Sequence, residues 1–164
     1  ILFSDLARII KAGNSGVSFS AVTSTGTIQT LTERRSSIRA ARNDILLANP
    51  ELGGDPDLAT ALTQCQSIVD GGTGSTKAIV IISESGSSEE DSEAAASDAR
   101  ARGTQIFSVG CGEQTRLFRA LRNWASSGNY DYTPECDDIA VLSYPVARRV
   151  CEAFEPEEEP TPLP

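Results

Sequence analysis

Lys77-Ala78-Ile79-Val80-Ile81-Ile82-Ser83-Glu84-Ser85-Gly86 is the stretch from which the rest of the chain is read. The unbroken apolar run Ala78 to Ile82 shows neither the alternation of a half-wet strand nor the three-and-four spacing of a helix, and predicts a strand covered on both faces. It is expected in the middle of a parallel sheet. A Ser/Glu-rich turn follows, then an Ala-rich helix from Glu89 to Arg102, then Gly103, then a second buried strand, Gln105 to Gly110. Helix, glycine, buried strand is the rhythm of an α/β fold.

Upstream, Phe3, Leu6, Ile9 and Ile10 lie on one face of a helix from Phe3 to Ala12 that stops at Gly13. Val17 to Val22 alternates, and after Thr25-Gly26 the run Thr27 to Leu31 alternates again, so the pair predicts an antiparallel hairpin. Ser36 or Ser37 caps a helix running to Asn49 with Ile38, Ala41, Ile45 and Leu46 on its inner face, and Pro50 ends it. After Gly53-Gly54-Asp55 comes a third helix, with Pro56 in its first turn and Leu58, Leu62, Cys65 and Val69 along the buried side. Gly71 to Thr76 is a loop.

Downstream, a helix is expected from Thr115 to Ser126, where Phe118, Leu121 and Trp124 fall at core spacing. Gly128 and a short strand at Tyr130-Asp131-Tyr132 follow. Asp137 or Asp138 is the expected cap of the last helix, which buries Ile139, Leu142, Val146 and Val150 and kinks or restarts at Pro145. Residues 1–154 thus form one domain, and 155–164 an acidic Pro/Glu-rich linker or tail.

Composition narrows the chemistry. The chain has 164 residues, enough for one core, and no histidine, which removes the commonest general base and any Ser-His-Asp triad. The net charge of −9 is concentrated toward the end, where Glu152, Glu155, Glu157, Glu158 and Glu159 lie close together. Arg34-Arg35 and Arg148-Arg149 read as solvated helix ends, and without a basic cluster with interleaved aromatics a nucleic-acid partner is not expected. No apolar stretch approaches the roughly 20 residues that cross a bilayer. Cys65, Cys111, Cys136 and Cys151 lack C-x-x-C spacing, and their even number suits disulfides.

The order of elements resembles the von Willebrand factor A family over about residues 1 to 154. Four segments carry the resemblance: Gly16 to Thr30, Gly53 to Leu62, Lys77 to Gly86, and Gly103 to Gly112. The passage Leu121 to Tyr130 matches the family's helix, glycine and final strand. The resemblance implies a doubly wound, mostly parallel sheet with one antiparallel edge strand and helices on both faces; the family's first strand is not found in this chain. In the family a divalent cation sits at the carboxyl edge of the sheet, held by an Asp-x-Ser-x-Ser loop, a threonine and an Asp in a Thr-Asp-Gly turn. Here the threonine position falls on Asp55 or Pro56, and the turn reads Ser83-Glu84-Ser85.

These departures imply a decayed metal site. No resident cofactor is expected, and Asp55 and Glu84 are the carboxylates a calcium or magnesium ion would use. Asp57 is read as a helix cap. The resembled topology sets Cys111 beside the loop carrying Cys136, so that these two can be bridged, and sets Cys151 opposite a cysteine that family members carry before the first strand. Cys111 has no histidine base and is not expected to be a nucleophile.

The functional expectation is a non-catalytic extracellular or cell-surface module for protein binding, adhesion or assembly within a larger multidomain protein. Its partner would be a protein, a glycan or a matrix component, met at the edge formed by Asp55, Asp57, Ser83 and Glu84. An intracellular metal-binding or regulatory module, expected to keep reduced cysteines, and a hydrolase of another doubly wound class are the alternatives.

Overall fold

A computed structural model of the chain describes residues 18–23, 28, 30–48, 56–74, 76–84, 89–112 and 115–154. The expected helix over 3–12, the loop with Asp55, and the tail 155–164 lie outside them.

The hairpin consists of β1 (Phe19–Val22) and β2 (Thr30–Arg35), paired antiparallel with Val22 opposite Thr30. The second strand runs four residues past its expected end, through Glu33-Arg34-Arg35, so Arg34 and Arg35 close a strand and not a helix. Arg34 adopts φ 48°, a left-handed conformation that is strained for a side-chain-bearing residue. Two hydrogen bonds hold it there. Its N–H donates to Ser20 Oγ at 2.9 Å, and its guanidinium donates to the Ile68 carbonyl at 3.3 Å near the end of the third helix's last turn.

Helix α1 (Ile38–Ala48) starts where Ser37 Oγ accepts from the Ala40 N–H at 3.4 Å. Helix α2 (Leu58–Asp70) starts where Asp57 Oδ1 accepts from the Thr60 N–H at 3.0 Å. In both, a short polar side chain satisfies a backbone donor that the first turn leaves unpaired. Leu58, Ala61, Leu62 and Ile68 give α2 its buried side.

A parallel sheet follows, formed by β3 (Lys77–Ser83), β4 (Thr104–Cys111) and β5 (Tyr130–Thr133), with α3 (Glu89–Ala101) and α4 (Thr115–Trp124) as the crossovers. Lys77 pairs with Thr104 and Ser83 with Gly110; Ser108 pairs with Tyr130 and Cys111 with Thr133. Among the described strands it is β4, not β3, that has a neighbour on each side, and the hairpin forms a separate two-stranded ladder. Hydrophobicity alone ranks β3 and β4 the other way, since the unbroken apolar run lies in β3 while Ser108 interrupts that of β4. Burial separates them, because Ile106 to Cys111 is buried throughout while Ile82 of β3 is 41% exposed.

Two apolar clusters flank the sheet. On one face Leu58, Leu62, Ile79, Ile81, Ala96, Ile106, Leu117, Leu121 and Trp124 pack together; on the other Phe107 and Val109 meet Val146, Ala147 and Val150 of the last helix, α5 (Ser143–Phe154). Alternation along β4 distributes its side chains between the two. Trp124 and Leu121 are core as expected, but Phe118 is 42% exposed. The buried stripe of α4 is Leu117, Leu121 and Trp124, at i, i+4 and i+7, and Phe118 stands about 100° around from Leu117.

Between β5 and α5 lies a 3-10 segment, Cys136–Leu142. The expected cap at Asp137 or Asp138 is not found. Both lie inside the first turn of this segment, with Glu135 at the capping position and no side-chain hydrogen bond there. Their charge still suits the positive end of a helical turn. The helix restarts at Ser143, whose Oγ donates to the Ala140 carbonyl at 2.7 Å, with Pro145 in the first turn, where a missing N–H breaks no bond.

Candidate functional site

The amino and carboxyl edges of the sheet are fixed differently. At the amino edge Asp70, ending α2, accepts from Lys77 Nζ at 2.7 Å, from Gln66 Nε2 at 3.0 Å and from Arg102 at 3.3 Å. These bonds join the end of α2 to the starts of β3 and β4. The Lys77 contact, with the bonds from Gln66 and Arg102, holds the Asp70 carboxyl below its ordinary range. From there helix α2, about 20 Å long, packs Leu58 and Leu62 in the same cluster as Ile79 and Ile81 of β3.

At that edge Ser83 ends β3, Glu84 follows it exposed, and Cys111 ends β4. The backbones approach closely here. A Cβ on Gly110 would strike Leu121 Cδ1 and stand 3.2 Å from the Ser83 carbonyl oxygen, and one on Gly112 (φ +112°) would stand 3.6 Å from that of Glu84. The Gly112 N–H donates to the Thr133 carbonyl at 3.1 Å. Glycine is needed at 112 because side-chain-bearing residues rarely adopt that φ.

Cys111 is bonded to Cys136, with Cα atoms 4.9 Å apart. The bridge joins the end of the central strand to the start of the 3-10 segment, and it removes Cys111 from nucleophilic chemistry. Cys65 packs against the first cluster and Cys151 against the second, on opposite faces of the sheet. Burial pushes the Cys65 thiol up to about 11.

The expected site residues are thus brought together only in part. Ser83, Glu84 and the disulfide share one edge. Asp55 lies outside the described residues. Asp57 acts as the α2 cap, and the two hydrogen bonds from Thr60 lower its carboxyl pKa. Among the described residues no three Asp, Glu or Cys side chains gather as a cation would need.

Two features went unread in the sequence. Arg149, taken for part of a solvated helix end, is ion-paired with Asp131 of β5 and ties α5 to the sheet. Arg116, Arg119 and Arg122 stand exposed on α4 beside Phe118, a basic stripe with an aromatic flank. Their spacing of three was the signal that would have found them.

The geometry agrees with comparisons to known proteins. Proximal thread matrix protein 1 from the mussel byssus, in a structure with a zinc-occupied MIDAS motif, superposes with a TM-score of 0.78 at 21% identity, covering 92% of this chain and 40% of that one. The vWF domain of the type V pili tip protein Mfa5 from Porphyromonas gingivalis gives 0.77 at 11% identity, covering 97% and 91%. The pilus adhesin SpaC from Lactobacillus rhamnosus GG gives 0.76 at 9%, covering 93% and 27%. The chain thus spans about two fifths of the mussel protein and about a quarter of SpaC. No curated protein sequence matches it. The von Willebrand factor type A domain model matches residues 2–143. With that match over most of its length, and a parallel sheet flanked by helices, the chain belongs to the von Willebrand factor type A domain family.

Proposed function

We propose that the chain is a non-catalytic, extracellular module for adhesion or assembly, part of a larger multidomain protein, that binds a protein or matrix partner at the carboxyl edge of its sheet. The observation that carries this reading is the Cys111–Cys136 bridge at that edge, beside Ser83 and Glu84. A disulfide suits an oxidising compartment, and it holds the edge in one shape before a partner arrives, which lowers the ordering cost of binding. Asp57, the cap of α2, and Asp55 belong to the same proposed edge. The mussel matrix protein and the pilus proteins, similar in fold, support the adhesive reading.

The test places a photo-crosslinking residue at position 84 and, as a control, at exposed Asp98 on α3. On exposure to extracellular matrix extract, with and without chelator, discrete protein adducts are expected from position 84 and not from 98. Equal labelling from both positions, or no adduct from 84, contradicts the assignment. Loss of the adduct on chelation would place a cation at the edge.

A further inference from the structure

Arg116, Arg119 and Arg122 are exposed on the outer side of α4 and, at i, i+3 and i+6, are neighbours along one stripe. Phe118 lies one turn before Arg122 on the flank of that stripe. It is 42% exposed and meets Tyr130 and Tyr132 edge-on, at centroid distances of 5.7 and 5.8 Å. Among the described residues none of the three guanidinium groups has an ion-pair partner, whereas Arg34, Lys77, Arg102, Arg148 and Arg149 do. Like charges at this spacing repel and weaken a helix. A chain with a net charge of −9 nevertheless carries three of them without internal compensation.

The complement is in the same sequence. Glu155, Glu157, Glu158 and Glu159 concentrate four negative charges directly after α5, interleaved with Pro156 and Pro160 and followed by Leu163. Carboxylates match guanidinium groups in charge and geometry, and Pro or Leu would meet Phe118. We propose that the segment Glu155–Pro164 of one copy docks on the α4 stripe of a second copy.

A copy's own tail is poorly placed for this. Helices α4 and α5 pack on opposite faces of the sheet, each layer about 10 Å thick. At about 3.3 to 3.6 Å per extended residue, Glu159 reaches no more than about 18 Å from Phe154. The outer side of α4 lies beyond the sheet and a whole helix. Docking between copies has no such limit. Because stripe and tail are different surfaces, each contact leaves a stripe unused at one end and a tail at the other, so the association is open and head-to-tail. It uses a surface separate from the carboxyl edge, and either assignment can fail without the other.

Sedimentation of the 164-residue chain tests this at about 0.01 M and about 1 M salt, where screening lengths are about 30 Å and about 3 Å. At low salt the weight-average mass is expected to rise above the 17.4 kDa of one chain with increasing concentration, and to return to it at high salt. The variant Arg116→Glu/Arg119→Glu/Arg122→Glu is expected to remain a monomer. So is the variant Glu155→Lys/Glu157→Lys/Glu158→Lys/Glu159→Lys, whose changes lie beyond the last helix. Mixing the two variants restores association, because each tail then meets an oppositely charged stripe. Circular dichroism of each variant alone checks that it is folded. A wild-type chain that is monomeric throughout at low salt, a stripe variant that associates like wild type, or a mixture that stays monomeric overturns the proposal. So does a salt-dependent compaction without concentration dependence, which would place the tail on its own chain, or association that survives the tail reversal, which would place another surface on the stripe.

Discussion

Cys111, the last residue of β4, is bonded to Cys136, the first residue of the 3-10 segment, across 25 positions of sequence. The bridge closes the loop that contains α4 and β5, so it restricts the unfolded chain more than it adds contacts to the folded one. Loop-closure entropy for that span corresponds to about 3 to 4 kcal/mol. Cys136→Ser is expected to lower the unfolding free energy by about that amount in urea denaturation. A reducing agent should bring the wild type to the same value and leave the variant unchanged.

Trp124 is the chain's single tryptophan and is 1% exposed, packed with fully buried Leu117 and Leu121. Its emission is expected to be blue-shifted in the folded state and to move red on unfolding. Leu117→Ala removes buried methyl groups and leaves a cavity, costing about 2 to 5 kcal/mol. The denaturation midpoint read from this fluorescence should fall accordingly, with little change in slope.

Gly110→Ala inserts a Cβ into Leu121 Cδ1 and toward the Ser83 carbonyl, and overpacking of this kind costs about 1 to 3 kcal/mol. At Gly103, where no atom lies within 4 Å of an added Cβ but φ is +80°, the expected loss is about 1 kcal/mol from backbone strain alone. Thermal unfolding of the pair should rank Gly110→Ala as the more damaging. The reverse order would mean that β4 and α4 are not packed as closely as described.

The hydrogen bonds from Lys77, Gln66 and Arg102 lower the Asp70 carboxyl, and those from Thr60 lower Asp57. A carboxyl depressed in the folded state contributes stability above its unfolded pKa, and that contribution is lost as pH falls through the folded value. Stability is therefore expected to decline on acidification from about pH 5 downward. In Asp70→Asn the decline should be shallower, and the variant less stable than wild type at neutral pH. Urea midpoints between pH 2 and pH 7 measure both.

Burial raises the Cys65 thiol to about 11 from an ordinary value of 9.0. The neutral thiol is the form the fold favours, so this contribution is present below the unfolded pKa and is lost as pH rises toward 11. In the folded chain at pH 8 Cys65 is expected to react with iodoacetamide far more slowly than in urea. Equal rates would mean that Cys65 is not packed against the first cluster as the fold places it.

Much of the fold was legible because period and burial coincide: the runs at Ala78 and Gln105 became parallel neighbours, and Ser37 and Asp57 start the helices their side chains predict. Hydrophobicity ranked β3 above β4, since Ala78 to Ile82 is unbroken while Ser108 interrupts the apolar residues of β4, yet only pairing distinguishes centre from edge. Phe118 was misread because one residue of rotation on a helix moves a side chain from the core to its rim. Asp137 and Asp138 have the chemistry of caps, but the capping position falls at Glu135, two residues before Asp137. The candidate site was less legible. Spacing alone does not pair Cys111 with Cys136, and that pairing came from the resembled topology. The α4 stripe was missed because its arginines are never adjacent in sequence.

The most direct test of the disulfide-held carboxyl edge is a thiol count under denaturing, non-reducing conditions, followed by peptide mapping. One bridged peptide joining Cys111 to Cys136, with Cys65 recovered as a thiol, is the predicted result. Four thiols, or Cys136 bridged to any residue other than Cys111, would contradict it.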